Sequence, residues 1–487
     1  MNIQTSQSAA EMVPSRLWIG GAWCDGRGGD DIEVIDPSTE TVIASVANAS
    51  VADGIAAVDA AAAAAAGWAA TAPRVRGEIL RRAYEIMTAR AESVAALISR
   101  ENGKALADAR GEVAYAAEFF RWYAEEAVRL AGELGPAPSG ACNIMVRHEP
   151  IGIALLVTPW NFPAAMATRK IGPALAAGCT CILKPATETP LTALVLAEIL
   201  AEAGVPPGVV NVVTTRTAGK LTSAILRDPR VRKLSFTGST EVGRILLREA
   251  AEQVVSCSME LGGNAPFIVF EDADLNAALD GAMVAKMRNG GEACTAANRF
   301  YVHETLYERF VDGLAARMGA LRVDDGVLPA TQCGPLINRS AVANTERLVR
   351  DAVAVGATVL TGGKALDRQG YFYAPTVLAN VPAHARVMRE EIFAPVAPIA
   401  SFTTEDEAIE RANDTEYGLI SYLYTGDLAR GLRVSARLQT GMVGLNRGVV
   451  SDPAAPFGGV KASGLGREGG HHGILEYIEP KYTAVTW

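Results

Sequence analysis

The sequence predicts an α/β protein: a parallel, doubly wound sheet followed by a second α/β unit. Three observations carry this. From residue 151 onward, apolar runs alternate with segments of helical period. The first run, IGIALLVTP, is apolar at nearly every position, as a strand buried on both faces requires. The chain has 487 residues, 49% hydrophobic and 20% charged, which is a folded composition too long for one core.

Taken in order, residues 1–16 read as a loose tail. RLWIGGAWC and IEVIDPSTETVIASVANAS read as short strands turning at Gly20-Gly21 and at Asp36-Pro37-Ser38. Ser50 is the expected N-cap of a helix over about 51–66, and its alanine run is too short to span a bilayer. Further helices are expected over about 74–102, closed by Gly103, and about 111–130. In the latter, Val113, Ala116, Ala117, Phe120 and Tyr123 recur at helical spacing as a core stripe. GELGPAPSGACNIMVRHEP reads as a hairpin, either a plain surface feature or an assembly arm. Beyond IGIALLVTP the strands TCILK, VVNVV and VRKLSF alternate with helices at about 163–177, 189–203, 218–226 and 239–252. After Glu260 a second alternation begins. Its strands are PFIVF, RFYVH, ATVLTGG, YFYAPTVL, APVAPIASF, SYLYTG and MVGLN. Its helices fall at about 274–288, 305–321, 341–355, 405–413 and 429–435. A Gly-rich loop, a short helix and an alternating strand end the chain.

Net charge is −9 with no dense basic run, so nucleic acid is not an expected partner. The N-terminus has neither the basic nor the apolar region of a secretory signal, and a cytoplasmic protein without a membrane partner is expected. Seven cysteines form no CxxC pair and read as reduced thiols. Five histidines fall in no metal-ligand spacing, so no metal is expected; His471-His472 reads as a polar turn.

Ligands bind such sheets outside the carboxyl ends of their strands. PWNFP, KPATETP and FTGSTEVG lie there. Gly238, Ser239 and Gly243 mark a strand-to-helix junction whose amides suit a phosphate, although glycines at such turns are often steric and FTGSTEVG is not of the GxGxxG form. Lys184 ends a buried strand, as a ligand for ribose or phosphate or as a cation reaching water. Asn161 offers an amide to an oxyanion, or simply forms a turn. Glu260 precedes two glycines, and Cys294 follows it by 34 residues. Read locally, these are a solvated loop carboxylate and a core thiol. Read with the strand ends, they suggest one chemistry. A thiolate adds to a carbonyl, hydride leaves to a nicotinamide, and a glutamate activates water.

In this order, PWNFP, KPATETP, FTGSTEVG, ELGGNAPFIVF, GGEACTAANR, EEIFAPV and PFGGVKASGLGREG resemble the aldehyde dehydrogenase superfamily over essentially the whole chain. The runs PWNFPAAMATRKIGPALAAGCT, VRKLSFTGSTEVGR, MELGGNAPFIVFEDADL and APFGGVKASGLGREG are most similar to its succinate-semialdehyde dehydrogenases. The resemblance implies an aldehyde dehydrogenase-like α/β fold: a Rossmann-type cofactor domain (1–130 and 151–260), a catalytic domain (261–462) and an oligomerisation arm (131–150 and 476–487). It implies Cys294 as nucleophile, Glu260 as deacylating base, Glu468 in proton relay, and Asn161 with the Cys294 amide as oxyanion hole. For the cofactor it implies Lys184 at the adenosine ribose, Gly238 and Ser239 at the pyrophosphate, Glu391 at the nicotinamide ribose with Phe393 beside it, and Thr158 and Trp160 lining the channel.

Arg169, Arg288 and Ser451 match positions that clamp a distal carboxylate, a task suited to arginine's planar fork. Thr187 stands where NAD-preferring relatives often carry glutamate; it does not repel a 2′-phosphate, so NADP is expected alongside NAD, with Glu188 one residue on. The implied reaction is oxidation of succinate semialdehyde to succinate. Alternatives are glutarate semialdehyde, another short aldehyde, a CoA-acylating variant (disfavoured by Glu260), or a catalytically silent cofactor-binding protein. A homodimer or homotetramer is implied. Four positions depart from the pattern. Glu292-Ala293 precede the cysteine, with Glu292 expected to face out; Ala394 replaces a common glycine; and Ala296 leaves no redox partner for Cys294.

Overall fold

The computed structural model describes residues 13–487, so most of the expected tail lies outside the described residues. Ser50 forms a capping box with Asp53 and opens the helix Val51–Ala70, which extends beyond the alanine run. By length and composition its 20 residues are long and apolar enough to cross a membrane. In the fold Gly54, Ala57, Val58 and Ala61 are buried, and the helix packs on the helix Ala218–Leu226 and on the first sheet.

The expected helix over 74–102 is two, Pro73–Ala89 and Ala91–Asn102. Arg90 breaks it with φ −98 and ψ 13, and its guanidinium pairs with Glu198 and Glu202 on the helix Pro190–Ala203. Gly103, at φ 90, closes the second piece in the left-handed conformation that glycine adopts without penalty. The helix expected over 111–130 runs instead from Leu106 to Glu126. Gly111, the expected start, sits inside it.

The first sheet has eight strands, ordered Gly464–Leu465, Ser256–Glu260, Val231–Thr237, Ile153–Val157, Thr180–Lys184, Val210–Val212, Leu17–Ile19 and Ala22–Cys24. The five central strands are parallel, and antiparallel strands complete both edges. From Ile153–Val157 the chain winds one way through two strands, then returns to place Val231–Thr237 on the other side. That reversal opens a crevice between the carboxyl ends of Ile153–Val157 and Val231–Thr237, where this fold binds ligands.

The second sheet has seven strands, with Ala265–Val269 and Ala297–His303 paired in parallel at its centre. The short link 261–264 carries the chain from the carboxyl edge of the first sheet to the amino edge of the second. Glu133–Pro136 and Asn143–Pro150 form the expected hairpin, and the terminal strand Ile478–Val485 pairs with it. Two strands were not legible. SCSME (Ser256–Glu260) is too polar to read as a buried strand, and Gly464–Leu465 lies within the Gly-rich loop.

Candidate active site

The reversal in strand order brings together the sequence-predicted residues of the first sheet. Thr158, Trp160 and Asn161 follow Ile153–Val157, and Phe236 pairs with Val157, which sets Gly238 and Ser239 alongside them. A cavity of about 240 Å³ there is lined by Trp160, Asn161, Gly238, Cys294, Glu391 and Phe393. Trp160 and Phe393 meet edge to face at 5.4 Å. A Cβ on Gly238 would come within 2.5 Å of the Phe236 ring, so only glycine keeps this wall open. Ser239 caps the helix Thr240–Ala251 by accepting from the Val242 N–H. Glu391 accepts from the Gly263 N–H at 3.0 Å, and burial pushes its carboxyl up to about 7.

Lys184 and Thr187 lie at the next strand end. Burial pushes the Lys184 ammonium down to about 8, with Glu188 acting against it. The Thr187 hydroxyl donates to the Thr215 carbonyl at 3.3 Å. A helix N-terminus, a glycine wall and a lysine at adjoining strand ends are a donor set that fits a dinucleotide.

Cys294 comes from the other sheet, three residues before Ala297–His303. The turn Arg288–Gly291 redirects the chain through Asn289 at φ 53 and Gly290 at φ 60. Gly263 lets the link 261–264 pass against the cysteine: a Cβ there would lie 2.5 Å from the Cys294 carbonyl oxygen. Burial pushes the thiol up to about 12; Arg169 and Arg288 pull it down, while Glu260 and Glu391 push it further up. Cys181 lies within a buried strand of the first sheet, and Cys179 Sγ donates to the Tyr477 carbonyl at 3.2 Å. Neither lines the cavity.

Glu292 corrects an expectation. It faces away from the cavity, but into the protein rather than to solvent. Its Oε1 accepts from the Ile337 N–H at 3.1 Å, and burial pushes the carboxyl up to about 8. Between the unfolded carboxylate range and pH 8 the folded chain therefore holds a proton that the unfolded chain has lost. Stability tied to this group is full in acid and falls as pH rises. Glu292→Gln should flatten that fall, which amounts to roughly 2 kcal/mol between pH 6 and 7.5. Thermal midpoints of both proteins across that window provide the check, and an unchanged slope contradicts the buried neutral carboxyl.

The Asn161 Nδ2 donates to the Glu292 carbonyl at 3.0 Å, joining the two loops directly. The Asn161 carbonyl accepts from Lys104 Nζ at 2.6 Å and from Asn289 Nδ2 at 2.9 Å. Lys104 also pairs with Glu112 at 2.6 Å, whose other oxygen caps the N–H groups of Ala164 and Ala165. This brace was not anticipated, because Lys104 lies in the link between two helices and Glu112 on a helix whose sequence read as ordinary core.

Glu260 ends its strand fully enclosed, and its carboxyl oxygens lack hydrogen-bond partners among the described residues. Burial, reinforced by Glu468, holds this carboxyl well above the usual range. Glu468 goes the opposite way: Arg169 and Lys170 outweigh its burial and hold it below the usual range. Both cations pair with it. All fifteen residues of the helix Pro163–Ala177 are buried, so the adjacent Arg169-Lys170 pair within it marks a charged interior site, of which Lys170 was overlooked.

The three clamp candidates share a neighbourhood but differ in engagement. Arg288 Nη1 donates to Ser451 Oγ at 3.4 Å, and its guanidinium lies 4.8 Å from the Phe162 ring centroid. Arg169 stacks at 4.2 Å on Phe457 while paired with Glu468, so it is not the free cation expected. Tyr115 stands beside both arginines.

With this geometry in place, the profile of the aldehyde dehydrogenase family matches residues 23–483. A succinate-semialdehyde dehydrogenase of Paenarthrobacter nicotinovorans is 56% identical over 444 residues, covering 91% of this chain and 99% of the relative. A glutarate-semialdehyde dehydrogenase of Pseudomonas aeruginosa is 48% identical over 476 residues, covering 98% of each. The crystal structure of succinate-semialdehyde dehydrogenase from Burkholderia pseudomallei superposes with a TM-score of 0.96 at 46% identity, covering 98% of this chain and 99% of that one.

Proposed function

This chain belongs to the aldehyde dehydrogenase family, and on that premise we propose that it oxidises short aldehydes bearing a distal carboxylate, succinate semialdehyde first and glutarate semialdehyde next. It is an NAD(P)-dependent enzyme acting on a small-molecule aldehyde. The observation that carries the substrate reading is the Arg288–Ser451 contact, with Arg169 close by and both guanidinium groups within electrostatic reach of Cys294. A carboxylate meeting Arg288 and Ser451 would hold the far end of a short chain, leaving the aldehyde at the thiol.

In this reading Cys294 is the nucleophile. The Arg169 and Arg288 charges favour its thiolate against the burial that opposes it. The Asn161 amide and the Cys294 N–H receive the oxyanion as sulfur adds to the carbonyl carbon. Bound nicotinamide supplies the hydride acceptor. Glu260 then takes a proton from the water that cleaves the thioester, and the Lys170–Glu468 pair lies beside it to carry charge away. The brace from Lys104 and Asn289 keeps Asn161 against the cysteine loop throughout. Thr187, neutral and tied to Thr215, supports use of NADP as well as NAD. Leu134, Tyr482 and Trp487 leave apolar surface exposed on and beside the three-stranded arm, which supports assembly into a homodimer or homotetramer.

Steady-state rates with succinate semialdehyde, glutarate semialdehyde and hexanal test the proposal. The carboxylated aldehydes should exceed hexanal in kcat/KM by about 100-fold or more, because the uncharged chain leaves buried donors unpaired. Equal efficiency on hexanal would overturn the carboxylate clamp. The product should be the free acid with or without added CoA.

A further inference from the structure

Tyr115 lies in the middle of the helix Leu106–Glu126, one turn beyond Glu112. Its ring packs edge to face on Phe119 at 4.8 Å, and the Arg288 guanidinium sits 5.8 Å from its centroid. Its hydroxyl is buried and, among the described residues, finds no acceptor; the Arg169 guanidinium beside it can only donate. Burial holds the phenol above its ordinary value even with Arg169 and Arg288 nearby, so it remains a donor at neutral pH. A buried hydroxyl without an acceptor is costly, and native proteins keep few of them. Every charged group immediately around this one is either a guanidinium, which has no lone pair to offer, or Glu468, which is occupied by Arg169 and Lys170. None of the described residues supplies the missing acceptor, and a ligand carboxylate would.

We propose that Tyr115 is a specificity-determining residue whose phenol donates to the distal carboxylate of the substrate, alongside Arg288 and Ser451. The inference rests on the carboxylate-bearing aldehyde proposed above and deepens it. The two arginines supply charge, and the phenol supplies a fixed direction. A rigid phenol can donate to one carboxylate oxygen while Arg288 holds the other, which would fix how far the aldehyde carbon stands from Cys294.

The test compares the full-length parent and Tyr115→Phe on succinate semialdehyde and on butanal, which has the same chain length and no carboxylate. Phenylalanine keeps the ring and its packing on Phe119. The expected result is a loss of about 10- to 100-fold in kcat/KM for succinate semialdehyde, the range of one hydrogen bond to a charged group, with butanal unchanged. The loss should be mainly in KM. Unchanged rates on both aldehydes, or an equal loss on both, would overturn the role of Tyr115 while leaving the clamp intact, provided the parent still prefers the carboxylated substrate. A parent with no such preference would instead overturn the clamp itself, and Tyr115 with it.

Discussion

Cys294→Ala should abolish aldehyde oxidation, by a factor on the order of 10⁴–10⁶, the scale on which removing a nucleophile acts. Nothing else in the cavity can take over. Asn161, Glu391 and the surrounding aromatic and apolar groups offer no second thiol. Cys179, Cys181 and Cys333 are enclosed, and burial raises each of their pKa values. The substitution removes one sulfur from a wall that otherwise stays in place, so binding of NADP should persist with little change in affinity. Steady-state rates together with fluorescence titration of the cofactor provide the measurement. More than about a hundredth of the parent rate would mean that the nucleophile lies elsewhere, with Cys179 and Cys181 the next thiols to replace.

Glu260→Gln should lower steady-state turnover by about 10²–10⁴-fold, the range of a positioned general base. It should spare the first half of the reaction. Rapid mixing with substrate and cofactor should show one equivalent of reduced cofactor per site, followed by a slow phase set by unassisted hydrolysis of the thioester. The pH profile carries an independent signature. Glu260 is held well above the usual carboxylate range, and it must be unprotonated to act. The parent rate should therefore rise with pH through that raised value, and the acid limb should be missing from the glutamine variant. If the burst slowed as much as the steady state, Glu260 would belong to thiol activation rather than to deacylation.

The sequence revealed those parts of the molecule whose pattern is local. IGIALLVTP, TCILK and VRKLSF are apolar because both faces of the sheet are covered, and the residues after them became site candidates by position alone. The break at Arg90 gave no such signal. It contains neither proline nor glycine, and its geometry accompanies ion pairs to a helix a hundred residues on. Ser256–Glu260 is a strand because of the neighbours it pairs with, not because of its polar residues. Glu292 shows the same gap for side chains. A charged residue beside a thiol was expected to face outward, yet a backbone N–H at Ile337 receives it inside. Lys104 and Glu112 are eight residues apart on an ordinary-looking stretch, and only tertiary packing makes them the brace under Asn161. The family resemblance located residues at the site, but it did not foresee that Glu468 already engages Arg169.

The pairing of Lys170 with Glu468 has a further consequence, which concerns time rather than chemistry. The two residues are 298 positions apart, so at typical synthesis rates about 15–60 s separate their emergence from the ribosome. Through that interval the helix bearing Arg169 and Lys170 has no carboxylate from residue 468 and cannot bury its charges as it does in the finished fold. The strand Gly464–Leu465, which docks on Ser256–Glu260, must arrive to deliver the partner. Such distant contacts slow folding, because a long loop is closed before it gains any compensating interaction. The first sheet is thus begun early and finished almost last, and a nascent chain stalled before residue 468 would carry an open, cationic interior.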